Sequence, residues 1–136
     1  MRRYSTFLPS LLLTAMGLEG CATTSEPPMS GIALPTLSFD PEIALTALAS
    51  GRLVARDGCL RLVGRAGKTR GLVIWPKGSR IVTEGRGAAV ILGNSGQRVP
   101  IGPRIQLGGG VGESIPPEAL STPLPSQCAG PYFSAN

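Results

Sequence analysis

The 136 residues carry 42% hydrophobic but only 4% aromatic side chains, a net charge of +5, and no histidine. A chain of this length closes one modest core, and its scarcity of rings argues against the stacking platforms that hold nucleic-acid bases. The missing imidazole removes the commonest general base, and with three cysteines but no CxxC spacing it also disfavours zinc and redox-motif chemistry.

Arg2 and Arg3 precede an uncharged, largely apolar stretch over residues 7–18, the layout of a secretory signal peptide. That stretch is shorter than the ~20 residues a membrane-spanning helix needs, and Ser, Thr and Pro follow it in place of a stop-transfer pattern. Leu18-Glu19-Gly20-Cys21 resembles the lipobox of bacterial lipoproteins, with Glu19 at a position that family keeps small or apolar. The resemblance spans these four residues. It implies removal of residues 1–20, a diacylglycerol on the Cys21 thiol and durable anchoring, since buried chains contribute about 0.8 kcal/mol per CH₂. Ala22 follows the cysteine where an Asp would favour retention, which in a didermal cell implies transfer to the periplasmic face of an outer membrane. The alternative is an ordinary signal peptide cut nearby, with Cys21 a free thiol.

With Cys21 assigned to lipid, Cys59 and Cys128 remain as an even pair that an oxidising envelope lets form. Two buried free thiols are the competing reading. A bridge would close a loop of roughly 70 residues and contribute about 4 kcal/mol in the chain-entropy model.

Residues 21–40, rich in Ser, Thr and Pro, are expected to form a disordered tether, and residues 41–136 a single domain. Asp40, Pro41, Glu42 and Gly51 sit where a helix would place its N-cap, first residue, first-turn acid and stop signal, which predicts a short helix over residues 41–45. One long strand over residues 45–55 is the alternative. Beyond Gly51, short apolar runs alternate with Gly, Pro, Asn and Asp. Residues 53–56 and 59–63 flank Asp57-Gly58, a type I′ hairpin signal, with Leu60 and Leu62 on one face and Cys59 and Arg61 on the other. Residues 72–75 form a continuous apolar run stopped by Pro76, the pattern of a strand buried on both faces. Further strands are expected at residues 80–83, 88–92, 98–101 and 104–107, with a turn at Asn94-Ser95-Gly96. The Gly- and Pro-rich tail carries one possible helical turn at Glu118-Ala119-Leu120, and Tyr132-Phe133 is placed to close the sheet as a last strand. Together these predict an all-β fold: a small antiparallel, OB-like or closed β-barrel with a short N-terminal helix and an irregular C-terminal tail.

DGCLRL, LVIWP and IQLGGG, followed by a late cysteine near an aromatic pair, resemble small bacterial envelope domains in which GCL, WP and a glycine triplet recur. The likeness covers about 80 residues and implies export and fold, but carries no activity across. Gly58-Cys59-Leu60, Trp75-Pro76 and Gly108-Gly109-Gly110 then read as a turn, a strand end and a tight backbone crossing.

Residues able to do chemistry are scarce. Gly93-Asn94-Ser95-Gly96 has the outline of a protease nucleophile loop without the histidine that would activate it, so it reads as a turn. Gly67-Lys68-Thr69 ends like a phosphate-binding loop, yet Leu62 occupies the position of that motif's first glycine and a strand follows instead of a helix. Asp57 is committed to a turn and Glu84 lies beside a Gly-rich bend, which disfavours both a glycosidase carboxylate pair and a calcium cage.

Charge is the remaining lead. Eleven basic residues lie between Gly51 and Arg104, against Asp57 and Glu84 alone. A basic face attracts polyanions or anionic headgroups, and Arg52, Arg56, Arg61, Arg65 and Arg70 are the candidate contacts. The expectation is a lipid-anchored, non-enzymatic envelope protein with no cofactor and no metal, held to its membrane and binding an anionic envelope polymer or headgroup. Nucleic acid is disfavoured. Alternatives are a secreted inhibitor of a hydrolase, or an envelope hydrolase, the latter opposed by the missing base.

Overall fold

The computed structural model describes residues 29–136. The expected signal peptide and the expected lipid site at Cys21 lie outside the described residues. What is described is mostly β, 48% strand and 8% helical.

Eight strands follow one another: β1 (Ala47–Arg56), β2 (Cys59–Val63), β3 (Thr69–Ile74), β4 (Arg80–Glu84), β5 (Gly87–Ile91), β6 (Arg98–Pro100), β7 (Arg104–Gly112) and β8 (Tyr132–Ala135). The predicted hairpin is present. Arg56 pairs with Cys59 across Asp57 and Gly58, whose φ values of 52° and 75° are those of a type I′ turn.

Five strands pair in a closed circuit, β1-β2-β3-β8-β7 and back to β1, and the other three form a separate sheet in the order β4-β5-β6. All neighbours in the circuit are antiparallel except β3 and β8, which run parallel. Two features of β1 make closure possible. Its first half pairs with β7 and its second half with β2, so that Arg52 faces both Val63 and Arg104. At the changeover sits Gly51, where a Cβ would stand 2.6 Å from the Val63 carbonyl oxygen.

The side-chain alternation sorts two apolar clusters. Leu53, Leu60, Leu62, Val73, Trp75, Leu107 and Phe133 point into the circuit and pack with Val90, Leu92, Val99 and Ile101 of the second sheet. Leu72 and Ile74 point outward from β3, beside Cys59, and are covered by Leu37, Leu120 and Cys128. Burial on both sides explains why β3 reads as an unbroken apolar run.

The tail supplies that outer cover. After β7 it makes two single 3₁₀ turns, Pro117–Ala119 and Ser126–Cys128, the first of them set one residue earlier than the expected helical turn. Cys128 is bonded to Cys59 across 69 residues of chain, with both sulfurs buried.

Two expectations need correction. Residues 41–45 form no helix: every one of them is exposed, Ile43 by 76%. A single turn has too few hydrogen bonds to offset nucleation without an apolar face to bury, whatever its caps offer. The tether expected over residues 21–40 also ends sooner than that. The Ala33 amide donates to the Gly58 carbonyl at 2.7 Å, Leu37 to Trp75 at 2.9 Å and Trp75 back to Pro35 at 2.9 Å. Ser121 Oγ donates to the Leu37 carbonyl at 2.8 Å, and buried Leu37 belongs to the outer cluster. This segment supplies backbone partners to Gly58 of the hairpin turn and to Trp75 just past β3, a role its Pro-rich composition conceals.

Candidate anion-binding site

The five arginines named from the sequence part company in the fold. Arg61 lies on the outward face of β2 and is half-buried; its two terminal nitrogens donate to the carbonyls of Ala129 and Gln127, each at 3.1 Å. It is a clamp on the tail. Arg56 stands exposed at the hairpin end of β1. Arg65 and Arg70 lie in and just after the β2–β3 loop, which comes back beside the first half of β1, and Arg52 stands mid-way along β1 opposite Val63.

They are joined there by a residue not among the candidates. Arg104 pairs directly with Arg52 across β1 and β7, so the two side chains leave the sheet on the same face about 5 Å apart at Cβ. Ser50 pairs with Gln106 two positions along, on that same face. Arg65, Arg70 and Arg104, with Ser50 and Gln106, line a cleft of about 510 Å³. No carboxylate lines it.

A second groove, of about 420 Å³, shares Arg65 and Arg70 with this cleft. On its cationic side it adds Lys68; on its other side stand Ala47, Leu48, Ala49, Val111 and Phe133. Ala49 and Phe133 belong to the interior cluster, so the groove opens onto the inside of the circuit. Leu107, Gly109 and Val111 occupy alternate positions on β7 and share its inward face. The first two are buried, whereas Val111 is 72% exposed. The inner row therefore runs out past the last covered layer, and the circuit is open at this end.

Among the described residues no carboxylate lies within salt-bridge distance of these charges. Among the described residues the ion pair within reach is Arg98 with Glu84, at 3.0 Å on the second sheet. Asp57 sits in the hairpin turn beside Arg56, and Glu113 and Glu118 lie in the tail. Like charges directly opposite on paired strands cost stability, so the Arg52–Arg104 pair and its neighbours form a surface that an external anion would relieve.

No known protein family, curated protein or solved structure matches this chain. The geometry alone carries the functional reading. The Gly67-Lys68-Thr69 stretch does belong to the site, but as a loop between strands that carries Lys68 into the groove, not as the start of a helix. Sequence reasoning had no handle on Arg104: only the strand register brings it opposite Arg52.

Proposed function

We propose that this chain is a lipid-anchored, non-enzymatic envelope protein, an OB-type barrel whose open end binds an anionic envelope component. The observation that carries the reading is that Arg65, Arg70 and Arg104 line one cleft, with Arg52 paired to Arg104 beside it, and no carboxylate lines that cleft. Clustered guanidiniums of this kind favour multivalent oxyanions, which they can hold bidentately.

The pairing order, with the third and last strands of the circuit parallel, supports the OB-type reading. Such barrels bind oligonucleotides and oligosaccharides on the face of their second and third strands. Here that face carries the tail, fastened by the Cys59–Cys128 bridge and by Arg61. Binding is therefore assigned to the open end. The chain reaches the barrel at the hairpin, where Ala33 meets Gly58, and Cys21 precedes the described residues by eight positions. An anchor at Cys21 would hold the hairpin end nearer the membrane and leave the cationic cleft farther out, about 13–20 Å of strand beyond Arg56 by the usual rise per residue.

The test is retention of the purified protein on immobilised lipopolysaccharide or anionic cell-wall polymer. Retention is expected at low salt and release at high salt. Replacing Arg65, Arg70 and Arg104 together by Gln should abolish it, while Arg56→Gln should leave it unchanged. Equal retention of the triple variant would overturn the assignment of the site.

A further inference from the structure

The arginine cleft on the outer face of β1 and β7 and the groove at the open end differ in chemistry and share Arg65 and Arg70, and that juxtaposition narrows the ligand. We infer that the site takes an anionic amphiphile: a phosphate-bearing head held in the arginine cleft, and the first stretch of an acyl chain lying in the adjoining groove. The inference rests on the anion-binding reading above and adds the chain to it.

Three observations support it. First, Arg65 and Arg70 line both grooves, so a group held between them is already at the entrance to the second. Second, that second groove is apolar along one side, from exposed Leu48 and Val111 down to Ala49 and Phe133 of the core. Large apolar residues exposed singly are ordinary. Leu48 at 66% and Val111 at 72% exposure are not single, because they stand in one groove leading inward. Third, its volume of about 420 Å³ falls in the range of roughly 300–1,000 Å³ typical of small-molecule sites, which favour the mouths of β-barrels. A fully polar anion would satisfy the cations and leave this apolar surface in water. A neutral hydrocarbon would do the reverse. A phosphate joined to an alkyl chain matches both walls at once.

The recognition is testable with the full chain carrying Cys21→Ser, so that no acyl group of its own competes for the groove. Calorimetric titration would use three probes below their micellar concentrations: dodecyl phosphate, glycerol phosphate and dodecyl maltoside. Dodecyl phosphate is expected to bind at least tenfold more tightly than either of the others. Leu48→Ser with Val111→Ser should bring it down to the level of glycerol phosphate, and Arg65→Gln with Arg104→Gln should bring it down to the level of dodecyl maltoside. These positions are exposed, so unchanged thermal unfolding would show that each variant remains folded. Equal affinity for dodecyl phosphate and glycerol phosphate would sink the amphiphile and leave the anion site standing. No binding of either phosphate would remove both, and equal binding of the maltoside would show that the groove takes hydrocarbon regardless of charge, which also overturns the inference.

Discussion

The covered face of the strand circuit and its open end use the same residue to opposite effect. On the outer side of β2 and β3, Arg61 spends its donors on the carbonyls of Gln127 and Ala129, over a cluster sealed by Leu37, Leu120 and the disulfide. On the outer face of β1 and β7, Arg52 and Arg104 face each other across paired strands, and Arg65 and Arg70 line the grooves between that pair and the open end without a carboxylate. Density of positive charge along the chain does not separate these cases. Availability does, and it is set by whether backbone carbonyls from a distant segment arrive to accept.

The comparison breaks most sharply at the bridge. Replacing Cys59 and Cys128 together by Ser should cost about 4 kcal/mol, because the loop between them is long. Urea denaturation would read this as a fall in the midpoint, and a loss below about 1 kcal/mol would mean that Leu37, Leu120 and their neighbours hold the tail without it. Closure of the circuit is the next target. At Gly109, φ is 155° and a Cβ would overlap the Ser134 carbonyl oxygen, so Gly109→Ala must push β8 away from β7. Overpacking of this kind costs about 1–3 kcal/mol, and the upper end is expected here because backbone, not a yielding side chain, stands in the way. Weakened amide protection of β8, measured by hydrogen exchange, would localise the damage; unchanged protection would show that the strands part elsewhere.

Much of the fold was legible because its signals are local. Asp57-Gly58 specifies its turn wherever the strands go, and the alternation through Cys59, Leu60, Arg61 and Leu62 assigns faces that the two clusters reproduce. The glycine triplet marked a close backbone crossing, which is what Gly109 makes with Ser134, although β7 runs through it to Gly112 instead of stopping at residue 107. The misread stretches are those whose conformation is decided from far away. Residues 41–45 have helix caps but no buried side chain, and residues 33–38 have a linker's composition but find carbonyl and amide partners at Gly58, at Trp75 just past β3, and on the tail. The site divides in the same way. Arg65 and Arg70 were visible as neighbours in a loop and its strand, while Arg61's engagement and Arg104's arrival depend on pairings between segments that no local pattern connects.

The smallest expected effects separate the two kinds of arginine most cleanly. Arg61→Gln removes two charge-assisted hydrogen bonds at a half-exposed position, and should lower stability by about 1 kcal/mol while leaving anion affinity intact. Arg104→Gln removes a cation standing opposite Arg52, where like charges on paired strands oppose each other by a few tenths of a kcal/mol. It should therefore leave stability unchanged or raise it by about 0.5 kcal/mol at low salt, lose that gain as salt screens the pair, and weaken anion binding severalfold. Thermal unfolding and titration with an anionic polymer, run on both variants at two salt concentrations, give eight readings, in which the effects on stability and on binding must cross over between the variants. If Arg104→Gln instead destabilises the protein as Arg61→Gln does, then the open end is held by its arginines as firmly as the covered face is, and its charges are structural.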